Sequence, residues 1–285
     1  MSNNQLKKFI VIIVAFIISL PALKDQSFAK VEWEILENIT LEDSPLDITI
    51  SKDGTVAYIL GTKNILIYSI EDKKTSDIIP IQGTFSQIAI SPDGEKLYLT
   101  NKKSKQVSIL KIATIYDIEV GQSPVMGKPG APVTIVAFLD YQCPYCTKVY
   151  PVLEQLLEQY PKDVNLIIKH YPLQMHPFAQ KASQAALAAS KQNKYQEMTK
   201  ILMLNSKNLN DTTIKKYAEE IGLDMIEFDK AYNDPSNKKI INQDMQTGAQ
   251  VKVRGVPALF INGRGAKNRS LNALSAMIRS ELKKK

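Results

Sequence analysis

The chain has 285 residues, of which 44% are hydrophobic and 23% charged, with a formal net charge of +7. That balance excludes a disordered or fibrous chain and leaves room for one large domain or two modest ones. The positive charge is spread along the sequence, and its strongest run is only Lys283, Lys284 and Lys285. It reads as solvated surface, with no nucleic-acid footprint.

Residues 1–29 read as a signal peptide. Lys7 and Lys8 precede an apolar stretch, 9–20, which is followed by Pro21 and by Ser27-Phe28-Ala29, a small-x-small cleavage site before Lys30. The alternative is an uncleaved anchor, but a stretch that short falls below the ~20 residues a spanning helix needs. The expected setting is extracytoplasmic, periplasmic or secreted, where disulfides form and persist.

Residues 30–120 contain an internal repeat. Ser51-Lys52-Asp53-Gly54 returns as Ser91-Pro92-Asp93-Gly94, and at the same forty-residue offset Ile48/Ile50 match Ile88/Ile90, Tyr58 matches Tyr98, and Ile39/Leu41 match Ile79/Ile81. Short alternating strands broken by Asp-Gly turns, at a period near forty, are the pattern of a propeller blade. The segment SPDGEKLYLTNKKSKQVSIL resembles the YVTN-type blade family. The expectation is a small all-β domain of two propeller-like blades, although closed propellers use about four to eight. Exposed strand edges would then favour self-association. Asp53 and Asp93 are turn formers, and Trp33 is expected in a core or at an interface.

Gly and Pro crowd residues 121–131, which reads as a linker before a domain at 132–285. In that domain 132–139 (PVTIVAFL) has the apolar, β-branched character of a buried strand. Apolar residues then recur at helical spacing from Val149 to Tyr160. A strand at 163–169 follows, then helices near 176–191, 194–204, 211–221, 225–232 and 237–251, a short strand at 258–261 and a last helix at 271–282.

The two cysteines of the chain, Cys143 and Cys146, stand where the first of these strands becomes a helix, as Cys-Pro-Tyr-Cys. A thiol at a helix N-terminus meets unpaired N–H groups and the positive end of the macrodipole, which favour the reactive thiolate. A zinc site built with His170 and His176 would leave 23 residues between Cys146 and His170, longer than the ~12–15 of a finger. Haem attachment would need His where Thr147 stands. A structural disulfide over so short a loop removes little chain entropy. Dithiol–disulfide exchange is the reading that remains, and no cofactor or metal is called for.

Residues 118–282 resemble the DsbA-like branch of the thioredoxin superfamily, on the motifs APVTIVAFLDYQCPYC, HYPLQMHPFAQKASQAA, YAEEIGLD and GVPALFING. The resemblance implies an α/β thioredoxin fold with an inserted helical subdomain, a helix kinked at Pro151, and a cis Val256–Pro257 bond facing the cysteines and binding substrate. It also implies Cys143 as the attacking residue and Cys146 as the one that resolves the mixed disulfide. Two departures stand out. Many relatives carry a glutamate where this chain has Ala137, which leaves Lys169 either facing the same interior without that partner or exposed. Residues 263–266 run almost directly into the last helix, so the final edge strand is expected to be short.

The implied activity is protein thiol–disulfide exchange on thiol-containing or disulfide-bonded proteins, together with a separate redox partner. Tyr145 lacks the charge of the histidine found between the cysteines of strongly oxidising relatives, and Val256 leans toward the oxidase branch, so the expectation is a mild dithiol oxidase. An isomerase or reductase, or a partner-binding protein with a dithiol switch, stays open.

Overall fold

The computed structural model describes residues 32–284, so the signal-peptide expectation for residues 1–29 lies outside it. Strands β1 (Asp47–Ile50), β2 (Val56–Leu60), β3 (Asn64–Ser69) and β4 (Lys74–Pro80) form one antiparallel sheet, and β5 (Gln87–Ile90), β6 (Lys96–Asn101) and β7 (Gln106–Lys111) a second. The sequence repeat is a geometric one. Ser51 N–H donates to Val56 O at 2.8 Å and Gly54 N–H to Ser51 O at 2.9 Å; Ser91 and Gly94 make the same bonds to Lys96 and Ser91, each at 2.9 Å. Gly54 and Gly94 sit at φ 72° and 73°, a left-handed conformation that glycine adopts without steric cost.

The two sheets pack through Leu60 and Ile65 of the first and Ile88, Leu97 and Leu99 of the second. Among the described residues they form no closed ring. Trp33, expected in a core or at an interface, is 83% exposed. Among the described residues nothing covers it, and residues 32–46 lie outside every strand.

The C-terminal part is built on a third sheet, in the order β12-β11-β9-β10-β8: β8 (Val125–Gly127), β9 (Val133–Leu139), β10 (Val164–His170), β11 (Ala258–Ile261) and β12 (Arg264–Gly265). β9 and β10 run parallel and are almost wholly buried, which accounts for their continuous apolar runs. β12 is the shortened edge strand. The segment expected as a linker, 121–131, is more than that: its Val125–Gly127 pairs with Leu166 and its neighbours on β10. Three strand residues set among glycines carry no alternation to read.

Helix α1 (Pro144–Gln159) crosses between β9 and β10 and runs through Pro151. Helices α2 (Ala179–Ser190), α3 (Tyr195–Leu204), α4 (Asp211–Glu220), α5 (Met225–Tyr232) and α6 (Pro235–Gln250) are inserted between β10 and β11, and α7 (Leu271–Leu282) closes the chain. Their starts follow side-chain chemistry. Asn210 and Thr213 make a reciprocal capping box on α4, and Asp224 accepts from Ile226 and Glu227 N–H on α5. Ile135, Ala137 and Leu139 share one core with Leu153 of α1 and Leu274 and Ile278 of α7; Val136 and Phe138 face the other side of the sheet with Val251 and Phe260.

The repeat sheets touch this unit at both of their Asp-Gly turns. Lys252 Nζ donates to Thr55 Oγ1 at 3.1 Å, and Lys267 Nζ donates to Asp93 O at 3.2 Å and pairs with Glu95 at 2.9 Å. Past β7 the chain runs along the edge of the third sheet, where Tyr116 N–H donates to Gly263 O at 2.9 Å.

Candidate active site

β9 ends at Leu139, and the chain turns through residues 140–142 to place Cys143 as the N-cap of α1, with Pro144 at the first helical position. Proline fits there because its missing N–H would have had no helical partner. No side chain caps the helix, so its first-turn N–H groups, at the positive end of the dipole beside Cys143, have no side-chain acceptor. Both cysteines are free thiols; Cys146 lies one turn on, entirely buried, while Cys143 keeps a trace of exposure.

The two sulfurs have different neighbours. Cys143 Sγ donates to the carbonyl of Val256 at 3.7 Å, across a gap of 113 residues in sequence, and the Val256–Pro257 bond is cis, as the resemblance implied. Cys146 Sγ accepts from Asp140 N–H at 3.4 Å. Burial pushes the Cys146 thiol far up, against the pull of that N–H, and the negative charge of Asp140 adds to the rise. Tyr145 projects into solvent with Lys148 Nζ 5.9 Å from its ring.

Asp140 is the residue the sequence did not single out. Its buried carboxylate accepts at Oδ1 from Gln142 N–H (2.6 Å) and Cys143 N–H (3.1 Å), and at Oδ2 from Leu173 N–H (2.7 Å) and His176 Nδ1 (2.8 Å). One side chain therefore fixes the cysteine turn and ties it to the loop after β10. Gln142 adds a second tie, its Oε1 accepting from Phe178 N–H at 2.6 Å. The only signal in the sequence was an acidic residue at the end of an apolar strand.

The two residues held in doubt fall out differently. Ala137 is buried on the face shared with Cys146. Lys169 pairs in register with Phe138, not Ala137, and so points to the opposite face of the sheet. It is neither exposed nor unpartnered: its Nζ lies 2.9 Å from Asp244 Oδ1 and donates to Val120 O at 2.7 Å and Ser123 Oγ at 3.1 Å. Of the two histidines, His176 meets Asp140 at the cysteine turn. His170 is buried against Tyr141 and Tyr195, and burial lowers its pKa to about 4.

The thioredoxin family Thioredoxin_4 matches residues 119–280. The chain belongs to the thioredoxin family. Among solved structures, this thioredoxin-family chain is similar to a thioredoxin-like oxidoreductase from Silicibacter pomeroyi, with 26% identity, a TM-score of 0.51 and coverage of 58% of this chain and 94% of that one. It is also similar to ScsC from Proteus mirabilis, with 26% identity, a TM-score of 0.51 and coverage of 57% and 73%. BdbD from Bacillus subtilis, 18% identical with a TM-score of 0.52, covers 60% of this chain and 98% of its own and shares the fold. Curated relatives include the Na(+)/H(+) antiporter NhaA 3 of Salinispora tropica, 36% identical over 174 residues, 58% of this chain and 26% of the antiporter. This chain thus spans about a quarter of the length of the curated relatives it matches, and the likeness is to one segment of them. Among the described residues no helix is long and apolar enough to cross a membrane.

Proposed function

We propose that this chain is an extracytoplasmic thiol–disulfide oxidoreductase that works as a dithiol oxidase on protein substrates. The observation that carries the reading is the asymmetry of the two sulfurs. Cys143 stands at a helix N-terminus against the Val256 carbonyl of the cis-proline loop, while Cys146 is sealed in the core behind it. The first 29 residues support the compartment.

With the pair oxidised, a substrate thiolate attacks the Cys143 sulfur. The Cys143–Cys146 bond breaks, and Cys146 leaves as a thiolate that takes up a proton, as its burial demands. A second substrate thiolate then attacks the substrate sulfur of the mixed disulfide and releases Cys143. Two electrons pass from the substrate dithiol to the pair, and the substrate gains one disulfide. Val256 and Pro257 hold an extended substrate segment beside Cys143, the Val256 carbonyl being the group within reach. An external redox partner restores the disulfide.

The test is single-turnover oxidation of a reduced, unfolded multi-thiol protein by the oxidised chain. Stoichiometric transfer of one disulfide supports the reading. Failure to transfer, with the pair still opening to small thiols, would leave a dithiol switch in its place.

A further inference from the structure

The forty-residue repeat assigns a place to a segment that has no strand partner. In the first unit, outer strand β4 is followed by residues 81–86 and then by β5, the inner strand of the next unit. Residues 34–40 stand in the same relation to β1, with 41–46 between them. The correspondence holds in space. Ile81 packs on the cluster that contains Leu97 and Leu99; Leu41 packs on the cluster of Ala57 and Ile59, forty positions earlier. Yet residues 34–40 belong to no strand, and Trp33, Ile35 and Leu36 lie in solvent.

The second unit lacks the strand such a segment would supply. β7 has β6 as its one strand neighbour among the described residues. The residues that follow β7 turn away to the third sheet, where Ile115 bridges Arg264 and Tyr116 and Ile118 pack near Phe138 and Phe260. Val107 and Ile109 are each 61% exposed, whereas Ile65, which occupies Val107's place in the first unit, is 0% exposed.

Charge agrees with the pairing. Residues 96–111 carry Lys96, Lys102, Lys103, Lys105 and Lys111 and no acid; residues 32–43 carry Glu32, Glu34, Glu37, Glu42 and Asp43 and no base. The exposed ion pair of Glu37 with Lys73, at 3.6 Å, holds the segment only weakly.

We propose that residues 34–40 of a second copy add to the free edge of β7 as its fourth strand, in reciprocal exchange between two chains. A chain's own segment lies on the wrong side for this, since β4 leads forward from the first unit to the second and residues 34–40 extend backward from the first. Following β4 on β3, Ile39 lies opposite Val107 and Glu37 opposite Ile109. The exchange gives a two-fold dimer whose four units each have four strands, the smallest number of about four to eight that closes a ring.

The experiment is light scattering of the full chain and of two surface variants. One carries Glu34→Lys, Glu37→Lys and Glu42→Lys; the other carries Lys102→Glu, Lys103→Glu and Lys111→Glu. The wild type runs at twice the mass of one chain, each variant alone at the mass of one chain, and their equimolar mixture at twice that mass again, because opposite charges are restored across both contacts. A wild type at single-chain mass, a variant that dimerises alone, or a mixture that stays monomeric would overturn the proposal. None of the six positions touches the dithiol, so association and thiol exchange stand or fail separately.

Discussion

At the scale of single residues, the site divides two thiols by depth. Alkylation of the reduced chain should modify Cys143 first and Cys146 only at much higher pH, because burial raises the Cys146 thiol. Mass spectrometry of the quenched products gives the order, and a Cys146 that reacts first would reverse the assigned roles. Asp140→Asn should lower the pH at which Cys146 alkylates, since the carboxylate charge is one of the causes that raise it. The same change weakens four hydrogen bonds, at a cost of about 1–3 kcal/mol in denaturant unfolding. His170 sets a pH dependence of its own. Its folded pKa, about 4, lies below the unfolded value near 6.5, so the unfolded chain binds the proton first as pH falls. Stability should therefore hold above pH ~6.5 and drop by a few kcal/mol between there and pH ~4. In His170→Phe, which keeps the ring packing, that drop should shrink; an unchanged slope from urea unfolding at the two pH values would place its origin elsewhere.

At the scale of elements, the buried Lys169–Asp244 pair joins β10 to α6 and holds the chain at Val120 and Ser123, just ahead of β8. Asp244 Oδ2 also accepts from His170 N–H at 2.9 Å. Lys169→Met leaves that carboxylate buried without its cation, a loss of about 3–5 kcal/mol. Adding Asp244→Asn should recover part of it, because the amide oxygen still accepts from His170; thermal melts of the two variants check this. The pair also shows why some of the molecule was legible in sequence and some not. β9 and β10 follow from a local signal, their apolar β-branched runs, and the helices at 211–220 and 225–232 stand where the sequence placed them. The side on which Lys169 lies depends on register between two strands, which no local pattern gives. The Asp140 cluster was hidden for the same reason, its partners at Leu173 and His176 being brought back by the turn of another loop. The facing of Val256 and Cys143 came from family resemblance alone.

At the scale of the whole molecule, two β-repeat units lean on a thioredoxin-family unit through their turns, and Lys252, which contacts the first turn, lies four residues before Val256 in the loop that reaches Cys143. The repeat sheets thus border the strand-and-loop region where a substrate segment would lie. The central claim is that exchange runs through Cys143 with Cys146 as its internal partner. Its most direct measurement is disulfide trapping with the full chain. Cys146→Ser, mixed with a protein substrate that carries a disulfide, should accumulate a species equal in mass to chain plus substrate, linked through Cys143 and released by reductant, whereas Cys143→Ser should accumulate none. Accumulation by Cys143→Ser, or no linked species from Cys146→Ser, would contradict the account.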